Sequence, residues 1–108
     1  MDNAIEFRIV YISIDSYDNA CKISQILVKE NLAACCSIIQ NVTSFFKWEN
    51  EIVNRNEFII MVKTHFSKLD SLSKIVSENH TDEVPEIISV NLAESIEPYL
   101  IWLKKELI

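Results

Sequence analysis

No glycine occurs anywhere in this chain of 108 residues. Average usage near 7% would supply about seven or eight. Glycine lets the backbone take positive φ and approach a phosphate closely, so its absence excludes whole function classes. There is no P-loop, no dinucleotide-binding fingerprint, no GxSxG elbow, no EF-hand loop and no GxxG clamp for RNA. Any turn that needs φ > 0 should fall on asparagine or aspartate, which singles out Asn31, Asn50 and Asn79.

What remains is a folded domain of ordinary proportions. At 12.5 kDa the chain is expected to form a single domain over residues 1–108. Folding should bury about two-thirds of its surface, enough for a core without disulfides. No apolar run reaches the ~20 residues of a membrane helix, and Met1-Asp2-Asn3-Ala4 lacks a basic leader. The expectation is a cytoplasmic protein without membrane association. A net charge of −6, with the basic residues dispersed, disfavours nucleic acid as a partner. Cys21, Cys35 and Cys36 give an odd count with an adjacent pair and no CxxC, so they read as small buried hydrophobes rather than disulfides or a zinc site.

The hydropathy pattern gives the element order. Residues 5–14 read as a strand and residues 17–30 as a helix capped by Ser16, with Ala20, Ile23, Ile26 and Leu27 inward and Asn31 as the stop. Residues 33–48 and 51–64 read as a long hairpin about Glu49-Asn50. Cys36, Ile38, Val42, Phe46 and Trp48 share one parity, with Gln40-Asn41 as a bulge candidate, and Cys35 and Cys36 face opposite ways. A second helix covers 67–79, a polar loop runs from His80 to Pro85, a strand covers 86–92, and Ser95 is expected to cap a last helix. The order β-α-β-β-α-β with a terminal helix is the split βαβ, ferredoxin-like arrangement of an α+β protein. Strands near 13 residues overhang a sheet whose other strands have 7–10. The overhang and its apolar Phe45, Phe46 and Trp48 call for a closed symmetric oligomer that pairs each hairpin with a neighbour's edge.

Five segments, in order, resemble a known family. They are Leu32-Ala33-Ala34-Cys35-Cys36; Phe45-Phe46-Lys47-Trp48-Glu49-Asn50; the strand from Glu57 to Lys63-Thr64; His80-Thr81-Asp82-Glu83-Val84-Pro85-Glu86; and Tyr99-Leu100-Ile101-Trp102. Together they resemble the CutA family, the divalent-cation tolerance proteins. The resemblance implies a ferredoxin-like subunit in a homotrimer, a link to copper and other divalent cations, and no enzymatic activity. Two departures stand out. Thr81-Asp82 replaces the family's Pro-Tyr, and Ile12 stands where some members have a first-strand cysteine discussed as a copper ligand.

His80 lies in a run of acids and is the candidate ligand, with Asp82, Glu83 and Glu86, for Cu²⁺ or another divalent cation that is not tightly held. His65 matches no motif. By the resemblance, Trp48, Glu57, Lys63, Tyr99 and Trp102, with Cys35, line a cleft between subunits. Two readings therefore stand: a non-enzymatic metal-binding trimer of copper-linked homeostasis, and a structural or signalling trimer that takes a protein partner or small regulatory ligand in that cleft. No nucleophile–base pair is readable for an enzyme.

Overall fold

The computed structural model describes residues 4–108. Its elements are β1 (Phe7–Ile14), α1 (Tyr17–Lys29), β2 (Cys35–Trp48), β3 (Glu51–His65), α2 (Leu69–Asn79), β4 (Ile87–Asn91) and α3 (Glu97–Glu106), with short 3-10 turns at Ala4–Glu6 and Phe66–Lys68. The strands form one sheet in the order β2-β3-β1-β4, with all neighbours antiparallel. The α1 connection therefore passes over β3 and the α2 connection over β1, as the split βαβ order requires.

Each element has a local cause. The Ser16 hydroxyl accepts a hydrogen bond from the Asn19 N–H at 3.2 Å and starts α1. Asn31, at φ 58°, ends the same segment in the left-handed region. Val10, Ile12 and Ile14 alternate along β1 and bury against Ile60 and Val62 of β3 beneath Ala20, Ile23, Leu27, Leu72 and Val76 of the two helices. A smaller cluster of Phe7, Ala34, Leu103 and Leu107 docks α3. Phe7 places α3 at one end of the sheet face opposite α1 and α2, the face that also carries the rows Ser37–Met61–Tyr11–Ile88 and Cys35–Lys63–Ile9–Val90.

The structure corrects four local expectations. The first strand begins at Phe7, because the preceding three residues wind into a 3-10 turn. Asn79 does not turn the chain at positive φ; it closes α2, its side-chain amide donating to the Ile75 carbonyl at 2.8 Å. Asn41 and Glu49 take left-handed conformations instead, at φ 63° and 51°. Ser95 is not the cap of α3: Ile96 occupies that position without a side-chain cap, and Pro98 presets the first turn.

The fourth correction shapes everything that follows. Ile39 faces Ile59, but Val42 faces Glu57, so β2 carries one extra residue at the bulge. An extra residue reverses every later side chain. Val42, Phe46 and Trp48 consequently lie on the face opposite Cys36 and Ile38, together with Val53, Arg55 and Glu57.

β1 pairs with β3 only from Phe58 onward, so residues 51–57 pair with β2 alone and the hairpin projects. The molecule is drawn out to 49 × 25 × 23 Å. At the tip, Glu49 and Asn50 both have positive φ, as a type I′ turn requires. Glutamate is a poor choice there. Glu49→Asn should stabilise the protein by about 0.5–1 kcal/mol in urea denaturation; no gain would mean that the turn is set by contacts rather than by its own backbone.

Candidate functional site

The candidate site lies where the root of the hairpin meets the loop between α2 and β4. Arg55 and Glu57 are two apart on β3 and so share a face. Arg55 grips Asp82 of the loop through both carboxylate oxygens, Nη1 to Oδ1 at 3.0 Å and Nη2 to Oδ2 at 2.9 Å. Its Nη2 also donates to Glu57 Oε2 at 2.6 Å. Forked pairing of this kind is the strong form of a charged hydrogen bond.

The electrostatics follow from those contacts. Glu57 is only 6% exposed. Burial alone would raise its carboxyl, but hydrogen bonds from Ser44, Arg55 and Ser13 outweigh burial and hold it below the usual carboxylate range. The Arg55 hydrogen bonds hold Asp82 low as well. In return, the hydrogen bonds to Asp82 and then Glu57 raise the Arg55 guanidinium further, so it is permanently charged.

His80 fastens the same loop at a second point. Its Nδ1 accepts the Asp82 N–H at 2.9 Å, which leaves the ring proton on Nε2 to donate to the Ser13 carbonyl at 2.6 Å. Hairpin and loop then bound an open cavity of about 910 Å³. The bulge in β2 places Ser44, Phe46 and Trp48 in its wall, and the stretch from Thr81 to Glu86 forms the other side.

Asp82, Glu83 and Glu86 from the expected metal set line this cavity, whereas His80 stands behind it with both ring nitrogens engaged. Among the described residues, no group of three or more His, Cys, Asp or Glu side chains is arranged to hold a metal ion. The expected cleft residues divide into three groups within one chain. Trp48 and Glu57 line the cavity. Lys63 Nζ lies 3.7 Å from Cys35 Sγ on the sheet face opposite α1 and α2. Tyr99 and Trp102 stack on α3 with ring centroids 5.6 Å apart.

Cys36 packs against the core beneath the helices, opposite in direction to Cys35, and burial pushes its thiol up to about 12. His65 joins a contact group of its own, edge-on to Phe7 and bonded through Nδ1 to Ser67.

Arg55 is the residue that sequence reasoning passed over, as one base among dispersed ones. Its signal was the Arg55-x-Glu57 spacing on a strand, opposite a loop that has gained an aspartate.

Comparison with known proteins gives a consistent picture. The family model described as CutA1 divalent ion tolerance protein matches residues 8–106. A divalent-cation tolerance protein CutA from Thermus thermophilus is 36% identical over 98 residues, covering 91% of this chain and 95% of the relative. A chloroplastic Protein CutA from Arabidopsis thaliana is 32% identical over 96 residues, and those residues are 89% of this chain but 53% of that relative. The chain thus spans about half the length of the plant protein. The crystal structure of CutA1 from Shewanella sp. superposes with a TM-score of 0.91 at 31% identity, covering 96% of this chain and 97% of that one.

Proposed function

The chain belongs to the CutA1 divalent ion tolerance family, and on that premise we propose that it acts as a closed homotrimer that binds copper or another divalent cation without catalysing a reaction. The family is named for tolerance of divalent ions and not for a reaction. One observation carries the assembly. A single chain leaves Phe45 71% and Trp48 52% exposed on a hairpin whose β3 strand has no partner beyond β2, and the outward face of α3 adds Ile101 and Trp102. Open edges and clustered apolar side chains are what a symmetric interface covers. The sheet face beyond the seat of α3, with half-buried Ile9 and Tyr11 and exposed Ile88 and Val90, is the second surface that a neighbour would bury.

The cation is proposed to sit at the loop of His80, Asp82, Glu83 and Glu86, on the acidic side of the cavity. For His80 to become a ligand, the metal must take the place of either the Asp82 N–H or the Ser13 carbonyl on the ring. Binding would therefore be coupled to loosening of the loop, and its affinity would be modest. Compartment does not follow from family, since the Arabidopsis relative is named as chloroplastic. No helix among the described residues is long and apolar enough to cross a membrane.

Sedimentation equilibrium should give three times the 12.5 kDa chain mass; a monomer overturns the assembly. Calorimetric titration of that species with Cu²⁺ should show saturable binding that His80→Ala abolishes and Cys35→Ser leaves intact. Absence of saturable Cu²⁺ binding overturns the metal reading alone.

A second reading has its own support: a small regulatory ligand in the cleft. The cavity has partly aromatic walls, and Arg55, bonded to both Glu57 and Asp82, ties the hairpin to the loop that bounds it.

A further inference from the structure

We propose that His65 is a proton-operated cap. As a neutral ring it holds the junction between β3 and α2, and as an imidazolium it gives up that junction for Glu6. The device lies within one chain, beside the end of α3, and needs neither a neighbouring subunit nor a metal.

His65 ends β3, and the 3-10 turn Phe66–Lys68 leads from it into α2. Its Nδ1 accepts the Ser67 N–H at 3.2 Å and lies 2.9 Å from Ser67 Oγ. A backbone N–H can only donate, so Nδ1 carries no proton and the neutral ring holds its proton on Nε2. Nε2 faces Glu6 Oε2 at 3.7 Å, beyond a hydrogen bond but within the reach of an ion pair. Each nitrogen thus serves one protonation state, Nδ1 the neutral ring and Nε2 the charged one.

The residue type makes this cap sensitive to acid. Ser16, which caps α1, accepts through a hydroxyl oxygen that does not take up a proton at ordinary pH. Histidine is the side chain whose charge changes between about pH 5 and pH 8. Once Nδ1 is protonated, two N–H groups face each other and the Ser67 N–H loses its acceptor. Ser67 Oγ can turn to accept from the ring, but the backbone donor stays unpaired.

The surroundings decide where the charged ring goes. Phe7 stands edge-on to it at 5.1 Å and Phe66 lies tilted against it at 4.7 Å, so the ring cannot turn over to exchange its nitrogens without leaving both. Lys68 of the turn, Lys104 of α3 and the Ile108 terminus line a hollow beside it. Arg8 holds its guanidinium 5.8 Å above the Phe66 ring and donates to the Ile5 and Phe7 carbonyls. Against these bases, Glu6 is the acid that Nε2 already faces, and the imidazolium is drawn toward it. Phe7 belongs to the cluster that seats α3, so loosening at His65 reaches that helix as well.

The test is nitrogen–proton NMR of the full-length protein, following the backbone amides and the imidazole nitrogens from about pH 8 to about pH 5. At the upper end His65 should show the proton on Nε2. On acidification the Ser67 amide should move toward its unbonded position, and local opening at Ser67, measured by hydrogen exchange, should rise about fivefold, the equivalent of one lost cap. His65→Asn keeps a capping acceptor that does not titrate in this window, so the fold should persist while the Ser67 step vanishes. The chain has only one other histidine, His80, and a step that survives in His65→Asn overturns the proposal. A proton on Nδ1 at about pH 8, or a Ser67 amide indifferent to the charging of His65, overturns it equally. In Glu6→Gln the acid form lacks its ion-pair partner, and the Ser67 step should appear at lower pH. A step that this change leaves in place overturns the exchange of partners.

Discussion

Ala34→Asp should lower the melting temperature by about 10–20 °C, the equivalent of about 3 kcal/mol in a domain of this size. Ala34 is 9% exposed and packs with Phe7, Leu103 and Leu107. Its N–H donates to the Lys63 carbonyl at 2.9 Å, so the backbone cannot swing the new side chain out without giving up that bond. A carboxylate there either stays charged among apolar groups or takes up a proton; both cost free energy. The same cluster is the main apolar seat of α3, and circular dichroism should show helix content falling before the sheet melts. Ala34→Gly, which adds no charge, should cost far less. An unchanged melting temperature for the aspartate variant would show that α3 is held by something other than this cluster.

Arg55→Ala is the second large effect, about 2–3 kcal/mol near pH 7. Breaking a buried pair costs about 3–5 kcal/mol by leaving an uncompensated carboxylate, and the figure here is smaller because Arg55 itself remains 30% exposed. The pH dependence has a definite sign. Glu57 and Asp82 titrate lower in the folded protein than in the unfolded chain, where carboxyls have values near 4. Their contribution is therefore complete above about pH 5 and fades as pH falls through the folded values. Urea denaturation near pH 7 and near pH 3 should accordingly show the gap between parent and variant closing in acid. A gap independent of pH would mean that Arg55 acts through packing of its aliphatic stem, and not through its charge.

The element order was readable because the hydrophobic periods are clean. Ala20, Ile23 and Leu27 at helical spacing, and Val10, Ile12 and Ile14 at strand spacing, all end in one core. The bulge was visible as Gln40-Asn41, but its effect on facing was not. Parity counted straight through the bulge put Phe46 and Trp48 with Cys36 and Ile38, and one extra residue sends them to the other side. His80, Asp82 and Glu57 were legible as chemistry. That Arg55 would join Asp82 to Glu57 depends on a contact 27 residues apart, for which no periodicity exists. The same limit applies to His80, whose Nε2 is engaged by a carbonyl 67 residues away. Ser95 was a reasonable cap by residue type, and it lost to Ile96 because the proline two positions on already fixes the first turn.

The turns built without glycine have a consequence for the denatured ensemble. A residue with a Cβ samples less conformational space than glycine, so each such position where glycine might stand narrows the unfolded chain by about 0.4–1 kcal/mol. Against this, Asn31, Asn41, Glu49 and Asn50 hold a left-handed backbone in the folded state, at a local cost near 1 kcal/mol for glutamate and less for asparagine. At the three asparagines the two effects nearly cancel, so glycine there would leave stability almost unchanged while loosening the unfolded chain. The tip of the hairpin differs, because Glu49 disfavours the left-handed backbone that the turn needs, so the two long strands must find their register without a turn that is preset locally.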